Sequence, residues 1–309
     1  MRRLAGVRPP WTDDPILSIY RFTNPYRASD RVSQYLIRNV LYTGDQTPEE
    51  VFFRALLFRL FNKPETWQLL SSRVALPTWR DFDYTTYARV LDSAAARGQK
   101  IYSGAYIIPS PAFGSRYKHR NHLRLLRVMM EDVPSRLRSA NSLSEVFQVI
   151  RSYPSFGNFL AFQLAIDLNY SEVIDFSEGE FVVAGPGARA GISKCFANLG
   201  GAQPEEVIEA VTRIANDEFS RLGLEFKTLW GRELQLVDHQ NLFCEVDKYT
   251  RVAFPAHTGN SFRRRIKRKY HQNPSPLPQW YPPKWRLHLP DSLLKQEALG
   301  TRVFAYEDR

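Results

Sequence analysis

Cysteine is nearly absent: Cys195 and Cys244 are the only two among 309 residues. Two thiols cannot complete a four-cysteine zinc site or hold an iron–sulfur cluster. No other ligand spacing points to a metal, and no cofactor is expected. His239 and Cys244 lack the pairing that a thiol mechanism needs, so Cys244 reads as a buried packing residue. Long apolar runs are missing too, and the opening MRRLAGVRPPWTDDP is too polar for a signal peptide. The expectation is a cytoplasmic chain with no membrane partner. The phosphate-binding pattern GxxxxGK[ST] does not occur. There is no internal repeat. Strand signals are few, with Lys100–Ile108 and Glu180–Ala184 the candidates for short extended pieces.

Positive charge and aromatic rings are abundant. Lys and Arg number 42 against 32 Asp and Glu, a net charge of +10, and aromatics make up 13%. A basic surface favours polyanions, because release of condensed counterions drives binding to nucleic acid. The length exceeds what one small core needs, so one large or two tightly joined domains are expected.

Helical patterns dominate. Residues 28–42 carry Val32, Tyr35, Leu36 and Val40 on one face, with Ser29 or Asp30 placed to cap the start. Residues 48–61 open with Pro48 and two glutamates and are apolar enough for burial on most sides. Further helices are expected at 64–72, 84–97, 119–131, 142–152, 157–168, 204–221 and 234–249. The fold class is mainly α with long loops. Residues 1–273 form the catalytic body, and 274–309, rich in proline and carrying Trp280, Tyr281 and Trp285, read as a strap packed over it.

Three constellations have chemical potential. Residues 10–31 set Asp13, Asp14, Arg21, Asn24, Arg27, Asp30 and Arg31 among Trp11, Tyr20, Phe22 and Tyr26. Flat rings beside amides, guanidiniums and carboxylates suit a nucleobase pocket; the alternative is a capped turn at Asn24-Pro25. In the second, a helix ends near Tyr153, Pro-Ser-Phe-Gly makes a tight hairpin, and another helix follows. That arrangement is like the helix–hairpin–helix of DNA glycosylases, where amides such as those of Gly157 and Asn158 grip a phosphate. Only Gly157 stands where such hairpins usually carry two glycines, and a generic corner is the other reading. Asp175, Glu178 and Glu180 follow about 20 residues on. AGPGARAGI at 184–192 admits either a close backbone or a ligand. The third is LQLVDHQNLFCEVDKYTRV, residues 234–252. On a helix Asp238, Asn241, Glu245 and Lys248 share one polar face, either a site wall or a solvated surface. A basic run, RRRIKRK at 263–269, supplies Arg263, Arg264, Arg265, Lys267, Arg268 and Lys269. On a helix these cations surround the axis, as suits phosphate tracking.

The segments PWTDDPIL…RFTNPYRASDRVSQYLIRN and LVDHQNLFCEVDKYTRV together resemble the helical domain found with phage 5-hydroxymethyluracil DNA kinases. That domain is similar to the α-glutamyl/putrescinyl-thymine pyrophosphorylase group. The resemblance runs over residues 8 to 265. It implies a helix–hairpin–helix DNA-glycosylase-like fold, and one branch is similar to an antiviral DNA glycosylase. It also implies that Asn24, Arg27, Asp30, Asp238, Asn241, Glu245 and Lys248 face one pocket.

The expectation set by this resemblance is a glycosylase that flips a modified pyrimidine out of phage DNA and excises it in antiviral defence. A carboxylate beside C1′, Asp238 first and Glu245 second, would stabilise the oxocarbenium ion. Asn24, Arg27 and Asp30 would read the base, Trp11 and Tyr26 would stack on it, and Lys248 would hold a carboxylate or phosphate. The alternative is a transferase in which an amino acid or polyamine displaces pyrophosphate from an activated hydroxymethylpyrimidine in DNA. There Arg27, Arg31 and Lys248 clamp the leaving group, and Glu245 or Asp30 takes the amine proton. A third alternative is a non-catalytic DNA-binding module. DNA is the partner in all three.

Overall fold

The computed structural model describes residues 11–257, 265–271 and 279–289. In chain order its helices begin with α1 (Pro15–Ile19), α2 (Arg31–Leu36), α3 (Pro48–Phe61), α4 (Pro64–Val74), α5 (Tyr84–Ala96) and α6 (Lys118–Met130). They continue with α7 (Val133–Arg138), α8 (Leu143–Arg151), α9 (Asn158–Leu168), α10 (Pro186–Cys195), α11 (Pro204–Arg221) and α12 (Leu236–Ala253). Among the described residues there is no strand ladder, only isolated bridges at Tyr20–Lys269 and Leu229–Arg232. The fold is therefore mainly helical. The extended pieces expected at Lys100–Ile108 and Glu180–Ala184 form no ladder.

The chain divides into two units. One comprises Met1–Asp30 with Val182–Pro278, the other Arg31–Phe181 with Gln279–Arg309. The second unit is built around α3. Pro48 starts this helix, Glu49 and Glu50 sit in its first turn, and Asn62 ends it in the left-handed conformation at φ 49°. Its interior face carries two arginines. Arg59 pairs with Asp167 of α9, its Nε donating at 2.6 Å, and both side chains are buried. Arg54, fully buried, donates to the carbonyls of Val40 (2.9 Å), Leu41 (3.3 Å) and Asp45 (2.7 Å).

Those carbonyls explain a departure from expectation at 28–42. In place of one helix the chain makes a 3-10 turn at Arg27–Ser29, then α2, then a π turn at Ile37–Leu41. The wider turn lets Tyr42 N–H reach Ile37 O at 3.2 Å, and the Arg54 guanidinium collects the carbonyls left over. Residues 279–289 also belong to this unit. Trp280 donates its backbone N–H to Gln34 Oε1 at 2.7 Å and sets its ring 4.6 Å from Tyr42. Trp285 meets Tyr170 edge-on at 5.5 Å. Lys284 buries its ammonium against the carbonyls of Ser171 and Ile174, each at 2.7 Å.

The first unit holds α1, α10, α11 and α12. Here AGPGARAGI, which lies outside the helices expected from sequence, is mostly helix α10, with Pro186 at its first turn. A Cβ on Gly191 would lie 2.0 Å from Phe243 O, so glycine lets α10 and α12 touch backbone to backbone. The described part of the basic run is not helical. Residues 265–271 are extended, with Arg21 N–H donating to Arg268 O (3.1 Å) and Tyr270 N–H to Ile19 O (2.9 Å). Arg263 and Arg264 lie outside the described residues.

Candidate functional site

The first and third constellations meet within the first unit. Asp14 caps α1 by accepting the amides of Ile16 (2.7 Å) and Leu17 (2.9 Å), while its other oxygen accepts the Tyr249 hydroxyl at 2.6 Å. That Tyr249 bond, first among its causes, holds the Asp14 carboxyl below the usual range. Further along, Lys248 Nζ donates to Arg21 O at 3.2 Å and Thr23 N–H donates to Glu245 Oε2 at 3.1 Å. Arg27 N–H then donates to Asp238 Oδ1 at 2.7 Å. Residues 14–27 are thus stitched along about three turns of α12 by bonds spanning more than 200 residues of sequence.

Asp238 is buried, and its two oxygens serve backbone amides. Oδ1 takes Arg27 N–H, and Oδ2 takes Gln235 N–H at 2.9 Å as half of the capping box that starts α12. Two turns on, Glu245 and Lys248 face each other at 2.5 Å, with 17% and 22% of their side chains exposed. The Lys248 ammonium also lies 5.1 Å from the centre of the Phe22 ring. Asn241, half-buried, sits one turn before Glu245. The opposite side of α12 carries a buried network. Asp247 receives Lys194 Nζ from α10 at 2.7 Å and the guanidinium of Arg251. The Asp247–Arg251 spacing was visible in the sequence; Lys194 was not, because its partner is 53 residues away.

The remaining candidates spread out. Asn24 is exposed and its Oδ1 accepts Tyr26 N–H at 3.0 Å, a turn-forming bond. Tyr26 and Arg27 are interior. The Tyr26 hydroxyl donates to Arg232 O at 2.7 Å and accepts Leu229 N–H at 3.1 Å, and burial pushes it up to about 12. Trp11 and Asp30 are half-buried, and Arg31 is exposed. Burial pushes the Cys244 thiol up to about 12, which removes thiolate at neutral pH. His239 is buried beside the Thr212 hydroxyl at 3.0 Å, and burial lowers its affinity for a proton. Among the described residues no three His, Cys, Asp or Glu side chains gather as a metal site would require.

In the second unit, the corner between α8 and α9 borders an open hollow of about 620 Å³ lined by Pro109 and residues 151–157. Ser155 turns the chain at φ 70°. Gly157 precedes α9, with open space where a Cβ would stand. Arg151 Nε donates to Asn158 Oδ1 at 2.6 Å across the corner. Asp175 is exposed beside Lys284, Glu180 is exposed and Glu178 is buried. In the first unit, Arg265, Lys267, Arg268 and Lys269 are all exposed.

The described residues are mainly helical, and α12 carries a hydrogen-bonded acid–amine pair in a chain of net positive charge. Residues 1–259 match the family described as the helical domain of 5-hmdU DNA kinase, and the chain belongs to that family. It is similar to a 5-hmdU DNA kinase of Bacillus phage SP10, with 29% identity over 269 residues, covering 80% of this chain and 42% of that relative. The chain therefore spans about two fifths of the relative's length. No solved structure matches. These findings overturn the expectation of a base-excising, hydrolytic glycosylase in antiviral defence, since a DNA kinase is a transferase. The structure adds a physical reason at the residue nominated first: the Asp238 carboxylate is committed to two backbone amides, a poor position from which to face a developing sugar cation.

Proposed function

We propose that this chain is a transferase that modifies a 5-hydroxymethylpyrimidine in DNA after its hydroxyl has been activated as a phosphate or pyrophosphate ester. An amino acid or polyamine attacks the exocyclic methylene, the carbon–oxygen bond to the leaving group breaks, and its electron pair leaves with the phosphate. Glu245 takes the proton released by the amine. Lys248, beside it, neutralises the departing oxygen. Asp238 acts as a positioning residue that fixes the start of α12 against Arg27. Asn24 and Asn241 read the base, with Trp11, Tyr26, Arg27 and Asp30 shaping the pocket wall. The observation carrying this reading is the Glu245–Lys248 pair, held by Thr23 N–H and Arg21 O in a partly open position in a chain of this family.

DNA is held along its backbone in this reading. The α8–α9 corner acts as a helix–hairpin–helix, offering the amides of Gly157 and Asn158 to a phosphate. Arg265, Lys267, Arg268 and Lys269 supply charge on an extended strand.

The test uses DNA bearing 5-hydroxymethyluracil converted to its phosphate or pyrophosphate ester, with glutamate or putrescine as the amine. Digestion and mass spectrometry should find a heavier nucleoside with stoichiometric phosphate release. Glu245→Gln should lower the rate by about 100-fold or more while DNA affinity stays within about threefold. An unaltered nucleoside across both esters and both amines refutes the transferase reading.

A further inference from the structure

The sequence between Phe113 and Met130 holds five Lys or Arg residues and no Asp or Glu. Arg120, Arg124 and Arg127 fall one turn apart on the outer face of α6, and Arg116 precedes them in the loop. The opposite face, with Leu123, Leu126 and Met130, is buried. Four of the five cations, all but Arg127, are held over aromatic rings. Arg116 and Arg120 lie 4.6 and 5.5 Å from the centre of the Tyr117 ring, Arg124 lies 5.9 Å from Tyr84, and Lys118 lies 4.6 Å from Tyr102. Asp92 of α5 balances one of them, accepting Arg120 Nε at 3.2 Å. The next acid in the chain, Glu131, stands past the last turn. Arg116 and Arg127 are exposed, and neither has an ion pair among the described residues.

A run of guanidiniums at one-turn spacing, of which Arg120 alone is paired with an acid among the described residues, is costly to maintain against self-repulsion unless a polyanion neutralises it. Bracing also reduces the side-chain freedom lost on docking. We propose that the outer face of α6 and the loop before it form a track for the phosphodiester backbone of DNA, contacting it through Arg116, Arg120, Arg124 and Arg127. This rests on the reading of the chain as a DNA-modifying enzyme. It adds a contact surface made by residues outside the hairpin and the basic strand. The contacts are to phosphate alone, so binding there is independent of base sequence and base modification.

The test is fluorescence anisotropy with an unmodified DNA duplex over a range of salt concentrations. The wild-type chain is compared with Arg116→Gln/Arg127→Gln and with Arg116→Lys/Arg127→Lys. Each phosphate contact contributes about 0.9 to the slope of log affinity against log salt, so the glutamine variant should lose about two from that slope and the lysine variant should keep it. Arg127→Gln alone, which breaks no hydrogen bond, should lose about one and covers the case in which the double variant fails to fold. An unchanged slope in both glutamine variants overturns the proposal. The probe carries no modified base, so a failed transfer assay would leave this result standing. A wild-type chain that binds no duplex would overturn the track together with the DNA reading.

Discussion

His122 shows how a single side chain can be read from its neighbours. It is fully buried; Nε2 faces Pro109 O at 2.9 Å, and Nδ1 faces the Tyr102 hydroxyl at 3.0 Å. A carbonyl only accepts, so Nε2 carries the proton and Nδ1 takes the tyrosine hydrogen, which defines the neutral tautomer. Burial lowers its pKa to about 4. The unfolded chain would titrate near 6.5, so this contribution is fully present above that pH and drains away as pH falls toward 4. Between pH 7 and 5 the wild type should lose about 2 kcal/mol more stability than His122→Gln, read from urea melts. Equal losses would show that the ring is not held neutral. Nothing in the sequence singles out His122 from His119 three residues earlier, because the difference lies in loop 100–111, which the pattern of apolar residues does not place. Glu245 and Lys248 were legible as a helical pair. The capping role of Asp238 was not legible, because capping depends on where a helix starts, and the start expected at 234 came at Leu236.

Elements were most legible where the apolar period was strong. α3 begins and ends at the residues expected, Pro48 and Phe61, since proline, paired glutamates and a left-handed asparagine mark both ends. The failures occurred where a long-range partner rewrites the local preference. Arg54 makes a π turn tolerable at Ile37–Leu41, and no window of sequence contains both its cause and its effect. α10 was missed because its glycines lower helix propensity by about 1 kcal/mol each, and contact with α12 outweighs that. Replacing Gly191 by alanine tests this. The new methyl would meet Phe243 O at 2.0 Å, with backbone on both sides and nowhere to yield. Gly191→Ala should destabilise the chain by about 2–3 kcal/mol and lower its melting temperature by at least several degrees. A melting temperature unchanged within one degree would refute the close approach.

At the scale of the whole molecule, composition was informative and topology was not. Net charge and aromatic content pointed to nucleic acid before any fold was known. The division into two units was not legible, because residues 11–30 join a partner that begins at Val182 while 279–289 return to the unit that begins at Arg31. Residues 11–30 lean on α12, so a chain stopped before Leu236 leaves them without Asp238, Glu245, Lys248 and Tyr249. In such a truncation trypsin should cut at Arg21 and Arg27 at least about tenfold faster than in the full chain; equal rates would count against the stitching. The same separation sets a timetable for synthesis. Thr23 and Glu245 are 222 residues apart, and at about 5–20 residues per second the first must wait roughly 10–45 s for the second to be made. During that interval every helix from α2 to α11 is synthesised, so the segment around Thr23 spends most of the chain's synthesis without the helix that it packs on.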